Sequence, residues 1–349
     1  MRLLNLNSLD LVEFMDHEKP PYVILSHTWG AEEISLQELQ SQHPDVKRRN
    51  GWTKIMNFAR KGKENGFEWG WVDTCCIDKT SSAELSEAIN SMFKWYQRAD
   101  SCYAYLSDVF GSEVVQPGPL SRTTAEQFAS SRWFTRGWTL QELLAPSSVV
   151  FYLQDWTMYG TKSSFRDEIS RITGIPAVTT TNPDSLSSFS VAQRISWSSN
   201  RQTTRLEDLS YCLLGILGVH MPLLYGEGAR AFIRLQEEVI KVGNDPTIFA
   251  WLSNGFPKPR STTAPADNWE SPLAPSPRHF INAGKTKRSL SRDKQYGPWW
   301  GGLESMQSPC SAATEQMRTM KVRVNSTDWH FTSVMTYTIV FPILRAFCF

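Results

Sequence analysis

Four short apolar runs, each closing on polar residues and alternating with stretches of helical periodicity, constrain this chain more than any other feature. Tyr22-Val23-Ile24-Leu25-Ser26-His27-Thr28-Trp29-Gly30 starts almost wholly apolar and then turns polar. That is the pattern of a parallel strand buried on both faces whose carboxyl end opens on a site. Trp52, Ile55, Met56 and Ala59 follow at helical spacing, and Asn65-Gly66 supplies a stop. A second strand is predicted over about 67–76, with Asp73-Thr74 as its polar chemistry. Ser81 and Glu84 have capping-box spacing, and Leu85, Ala88, Ile89, Met92, Phe93 and Tyr96 make an apolar stripe, so a helix is predicted over about 82–98. Residues 101–106 read as a third strand ending at Ser107-Asp108, and 148–153 as a fourth. Such alternation predicts an α/β fold: a parallel sheet with helices on both faces and right-handed crossovers.

Between the third and fourth strands lies the densest chemistry, Ser130-Ser131-Arg132-Trp133-Phe134-Thr135-Arg136-Gly137-Trp138-Thr139-Leu140-Gln141-Glu142-Leu143-Leu144-Ala145-Pro146. It reads as helical over about 136–144 and stops at Pro146, which cannot continue a helix. Trp138 and Glu142, four apart, share a face. A partly desolvated Glu142 would have a raised pKa and a catalytic use; a core helix with Glu142 as a solvated or salt-bridged cap fits the same residues. With the sheet so drawn, Ser26, His27, Asp73, Ser107, Asp108 and Glu142 gather at its carboxyl edge, where α/β folds bind ligands. His27, beside the Trp29 indole and Gly30, positions a hydroxyl or phosphate, or is simply satisfied at the strand end. Cys75 and Cys76, beside Asp73, are nucleophiles or small buried hydrophobes.

Beyond Trp156 the pattern changes to helices and loops. A short helix over 165–172 stops at Gly174 and Pro176, and a polar loop follows over 179–190. Thr204 and Glu207 have capping-box spacing ahead of Leu206, Leu209, Leu213, Ile216 and Leu217. Gly226-Glu227-Gly228 leads into a helix carrying Phe232, Leu235 and Val239 and ending at Gly243. From about 254 to 308 proline, serine, glycine and charge dominate, so irregular chain is expected there, with one or two strands near Val322 and Val324. The division is therefore a folded unit over 1–252 and a low-order region over 253–349.

With 41% apolar and 12% aromatic residues in 349, the chain can bury a substantial core. Its 36 basic and 35 acidic residues leave a net charge of +1, which gives no reason to expect nucleic acid or an anionic membrane as partner. The six cysteines form no CxxC pair, so neither a disulfide framework nor a metal site is predicted. No signal peptide and no membrane span are read, and a soluble protein of the cytoplasm is expected. Gly284-Lys285-Thr286 imitates the end of a phosphate loop, but His279 stands where its first glycine belongs, and no GxGxxG follows the first strand.

Taken as a set, YVILSHTWG, WVDTCCID, SSRWFTRGWTLQELLAP and RISWSSNRQTTRLEDLSYCLLGILGVHMPLLYGEG resemble the fungal heterokaryon incompatibility (HET) domain over about residues 21–228. FIRLQEEVIK and LAPSPRHF extend the likeness towards residue 280. The resemblance implies a role in nonself recognition, with growth arrest or cell death after incompatible fusion. That family is in turn similar to Toll/interleukin-1 receptor (TIR) domains, which implies a TIR/flavodoxin-like sheet. In plant TIR domains a V-x-L-S strand and an S-x-W-C-L-x-E-L helix carry the cofactor-side loop and catalytic glutamate of an NAD-cleaving enzyme. Val23-Ile24-Leu25-Ser26 and Trp138-Thr139-Leu140-Gln141-Glu142-Leu143 match in order, with Thr139 in place of cysteine and His27-Thr28-Trp29 departing after the strand. Glu142 is the implied catalytic residue. On the edge reading Ser26, His27, Trp29, Asp73 and Trp138 are the expected cofactor-binding residues, with NAD as substrate, no permanently bound cofactor and no metal. A non-enzymatic adaptor that signals by self-association is the other reading. Self-association and an NLR-type sensor partner are expected in either case.

Overall fold

The computed structural model describes residues 1–41, 43–111, 123–254 and 272–287, together with the backbone of two short strands nearer the C-terminus. Its centre is a seven-stranded sheet of β1 (Arg2–Asn5), β2 (Leu11–Glu13), β3 (Tyr22–His27), β4 (Trp69–Trp71), β5 (Ser101–Tyr105), β6 (Val149–Tyr152) and β7 (Met158–Thr161), in the order β2-β1-β4-β3-β5-β6-β7. The four predicted strands are its parallel centre, β4-β3-β5-β6. Every residue of β3 is buried, as a strand covered on both faces requires. Antiparallel β1, β2 and β7 flank this centre and were not predicted. They are three or four residues long and interrupted by turn residues, too short to establish a period-two pattern.

Helices α1 (Leu36–Ser41), α2 (Asn50–Glu64), α3 (Ser82–Arg98), α4 (Thr124–Ala129) and α5 (Thr139–Leu144) fill the connections. On one face α2 places Phe58 against Gly70, where an added Cβ would lie 2.7 Å from the ring, and edge-on to Tyr103. On the other face Trp71 packs edge-on against Trp95 and Tyr96 of α3, and the Cys102 thiol donates to the Glu142 carbonyl of α5. Met56 is exposed because the buried stripe of α2 runs through Ile55, Phe58, Ala59 and Gly62. Helix α3 spans the predicted residues, and the Ser81 hydroxyl accepts from the Glu84 amide. The Glu84 carboxylate turns instead to Arg2, at 2.7 Å, and to the Asp78 amide, leaving the box half formed. Strand β4 is shorter than predicted because the amides of Cys75 and Cys76 bond back to the Val72 carbonyl. The chain thereby turns sharply and lifts Asp73 off the strand end.

The helix predicted over about 136–144 begins only at Thr139. A 3-10 turn at Arg132–Thr135 is followed by extended chain at Arg136 and then by α5. The Gly137 amide donates to the Gln202 carbonyl and the Gln202 amide to the Thr135 carbonyl, so a distant segment takes the hydrogen bonds a continuous helix would use. After β7 come α6 (Arg166–Thr173), α7 (Ala177–Thr181), α8 (Val191–Ser196), α9 (Asp208–Tyr211), α10 (Leu214–Leu217) and α11 (Arg230–Val242). Gly174 ends α6 in the left-handed region, as its position predicts. The predicted loop at 179–190 instead contains the end of α7 and a 3-10 turn at Pro183–Ser188. No capping box forms at Thr204: Glu207 accepts from the amides of Gly226 and Gly228, Leu206 is exposed, and two short helices replace the predicted one.

Residues 272–287, read from composition as irregular, are packed against the helices. Ala274 and Phe280 are fully buried, and the Gln236 amide bonds both the N–H and the carbonyl of Ala274. Gly284 and Lys285 lie in a 3-10 turn, with the Gln193 side chain donating to the Gly284 carbonyl, which fits a structural turn. Nearer the C-terminus β8 (Arg318–Arg323) and β9 (Val334–Ile339) pair antiparallel. The rest of the predicted low-order region lies outside the described residues. Among those described, no helix is long and apolar enough to cross a membrane.

Candidate functional site

The carboxyl ends of β3, β4 and β5 carry two clusters, because successive residues of β3 point to opposite faces. Ser26 points to the α3/α5 face. Its hydroxyl donates to the Glu142 carboxyl, accepts from the Trp133 indole at 2.8 Å, and lies beneath Tyr96, whose phenol also reaches Glu142. Burial pushes the Glu142 acid up to about 8; the Ser26 hydrogen bond opposes this, the Asp73 charge adds to it, and Tyr96 and Arg201 oppose it. At neutral pH Glu142 is therefore mostly protonated. The Tyr96 hydroxyl also lies 2.9 Å from the Leu25 carbonyl, to which it donates.

His27 points to the α2 face. Its imidazole is fully enclosed, neither ring nitrogen has a hydrogen-bond partner, and Nε2 stands 3.7 Å from both the Glu33 and Asp73 carboxylates. Burial, reinforced by Lys54 and Lys79, holds its pKa well below the ordinary histidine value, so the ring is neutral. Glu33 is committed: one oxygen accepts from Lys54 at 2.5 Å and from the Gly30 amide at 2.6 Å. Asp73 accepts from the Trp29 indole at 2.8 Å, and burial raises its pKa. Trp29 is 51% exposed, and the Lys79 ammonium sits over its ring at 3.8 Å from the centroid.

Ser26, His27, Trp29, Asp73 and Glu142 thus lie together at one edge, with Asp73 close enough to both clusters for its charge to be felt in each. Asp108 serves the backbone, accepting from the Ser131 hydroxyl and the Arg132 amide at 2.8 Å each, while Arg132 reaches Thr28 and Ser107 at 3.5 and 3.4 Å. Trp138 hydrogen-bonds Asp208, so its polar edge serves the helical extension and not Glu142. The Cys75 thiol is raised well above its ordinary pKa by its contact with Cys76 and by burial, which argues for a small hydrophobe over a nucleophile.

Sequence reasoning assigned no role to Tyr96, Trp133, Lys79 or Arg201. Tyr96 was read as core stripe, which hides a phenol that reaches a buried acid. Arg201 comes from the segment before α9 and is buried; its guanidinium donates to the Arg136 carbonyl at 2.8 Å and to the Thr139 hydroxyl at 2.9 Å. Burial pushes its pKa down to about 10, and its Nη2 has no hydrogen-bond partner. No local pattern marks it. A depression lined by Lys19, Tyr22, Arg98 and Asp100 lies at the opposite, amino ends of the strands, away from this chemistry.

Residues 22–117 match the family model described as heterokaryon incompatibility protein (HET). Vegetative incompatibility protein HET-E-1 of Podospora anserina is 47% identical over 236 residues, covering 67% of this chain and 17% of that protein. The chain thus corresponds to a small part of this much longer relative. No solved structure matches. The matched segment contains β3 with Ser26 and His27, β4 with Asp73 beyond it, and β5, so the family match falls on the strands that build the edge. The chain is a heterokaryon incompatibility (HET) domain protein.

Proposed function

We propose that this chain is an effector of fungal vegetative incompatibility that triggers cell death by cleaving the nicotinamide–ribose bond of NAD at the carboxyl edge of its sheet. Its likeness to HET-E-1 supports the biological role. The observation that carries the chemistry is the buried acid Glu142, raised to about 8 and held by Ser26 and Tyr96 where parallel strands end. In the reaction the glycosidic bond breaks with its electrons leaving on neutral nicotinamide, and positive charge develops on the ribose. A cationic substrate beside Glu142 favours its ionised form, and the carboxylate then stabilises the ribose cation. Water captures that cation, and its proton passes to Glu142. No metal enters the scheme. The enclosure of Glu142 requires the segment bearing Arg132 and Trp133 to give way, a population shift that self-association or a sensor partner in the cytoplasm would drive.

A non-enzymatic adaptor is the second reading, favoured by the same burial, since a protonated and hydrogen-bonded acid is also a sound structural element. Expression of Glu142→Gln in a fungal host separates the two. Glutamine preserves the shape and hydrogen bonds of the neutral acid but cannot ionise, so a folded, abundant and harmless variant supports the enzyme. A variant as toxic as wild type supports the adaptor.

A further inference from the structure

Trp29 presents one of the larger exposed apolar surfaces at the carboxyl edge, and its exposed face is occupied by the protein's own cation. Asp73 fixes the plane of the indole through Nε1, so the ring is held and not free to rotate away. The Lys79 ammonium lies over that fixed ring at 3.8 Å, and among the described residues it makes no ion pair. It sits over the indole although Asp73 and Glu33 are close enough for their charges to be felt. Asp73 also borders the fully enclosed His27 imidazole, whose Nε2 stands 3.7 Å from both the Glu33 and Asp73 carboxylates. Of those carboxylates Glu33 is already neutralised by Lys54 at 2.5 Å, while Asp73 is 21% exposed and has an oxygen engaged only at the 3.7 Å distance to His27. An aromatic face held beside a partly open carboxylate describes a receptor for a flat cation.

We propose that the Trp29 face is a subsite for a planar aromatic cation of the N-alkylpyridinium class, and that Lys79 is an internal plug standing in for it. The inference rests on the NAD-cleaving reading only for the identity of the natural ligand, the oxidised nicotinamide ring. That ring carries a full positive charge, so it satisfies the indole quadrupole and Asp73 at once. The reduced, uncharged ring and free nicotinamide lack the charge. Binding requires the Lys79 ammonium to leave the indole face for solvent, which scales the apparent affinity down to the fraction of molecules in which the plug is unseated. Cleavage converts the charged ring into neutral nicotinamide, so product holds the subsite less tightly than substrate does.

Calorimetric titration of the full chain with 1-methylnicotinamide, which has no ribose to cleave, reads the subsite without turnover. Lys79→Ala is expected to bind it about fivefold more tightly than wild type, the scale of one exposed cation–π contact. Adding Trp29→Leu to Lys79→Ala is expected to abolish the gain, with nicotinamide binding more weakly than its methylated cation throughout. Thermal melts check that each variant is folded. Affinity unchanged or weakened in folded Lys79→Ala, or equal affinity for the charged and neutral rings, overturns the proposal. Nicotinamide release from NAD is scored separately: tight cation binding without release supports the subsite and removes the cleavage reading, whereas release with no Lys79 effect on binding removes the subsite alone.

Discussion

Glu142 sits in an environment that favours the acid over the carboxylate, and this has a consequence for stability. Its folded pKa of about 8 exceeds its unfolded value near 4.5, so between those values the folded protein binds more protons than the unfolded chain. Its contribution is therefore full below about pH 4.5 and is lost as pH rises through about 8, with a slope of at most about 1.4 kcal/mol per pH unit. Glu142→Gln mimics the acid and cannot ionise. Chemical denaturation from pH 5 to 9 is expected to show wild type losing stability relative to Glu142→Gln as pH rises; parallel curves would mean that Glu142 ionises freely in the fold. The sequence placed Glu142 on a helix beside Trp138 and Ser26 at a strand end, but not their hydrogen bond. That bond depends on which face each strand residue takes and on how α5 is rotated. Likewise Trp138 shares a helical face with Glu142 by spacing, yet its indole goes to Asp208 at the start of α9.

Six residues make α5 too short to be stable alone, so its position is decided by what holds its ends. At the amino end Arg201 and Gln202 bond the turns that precede it. At the carboxyl end the buried Lys162 ammonium donates to the carbonyls of Leu143 and Pro146, where the helix dipole favours a cation, although burial pushes its pKa down to about 8. Gly137 lies where the two segments cross, and an added Cβ would stand 2.5 Å from Thr203 Cγ2 and 3.3 Å from Cys212 Sγ. Gly137→Ala is expected to cost about 1–3 kcal/mol in denaturant titrations, the usual scale of overpacking, with part of the loss recovered by adding Thr203→Ser. A loss below about 0.5 kcal/mol, the scale of an ordinary surface substitution, would show that the crossing is loose. The central strands and helices α2 and α3 were legible because burial gives them a period that their own residues display. The break at Arg136 and the two short helices at α9 and α10 were not, since both are dictated by partners distant in sequence: Gln202 in one case, and the amides of Gly226 and Gly228 in the other.

The molecule couples a mostly parallel sheet to a helical extension that reaches back through Arg201 to the helix carrying Glu142. The acid at the sheet edge and its support in the extension thus form one mechanical unit. The packed turn around Phe280 adds to that unit from beyond the boundary that composition alone suggested, because a proline-rich segment conceals its few buried residues among many turn formers. If the edge acts on NAD only when neighbouring molecules open the cover over Glu142, activity depends on concentration as well as on the acid. Nicotinamide released from NAD by purified wild type and by Glu142→Gln, followed across a wide range of protein concentration, is the most direct measurement. Wild type is expected to release nicotinamide with a specific activity that rises with concentration, and Glu142→Gln to fall to background while remaining folded. Equal release by both proteins, or none by wild type at any concentration, contradicts a catalytic Glu142.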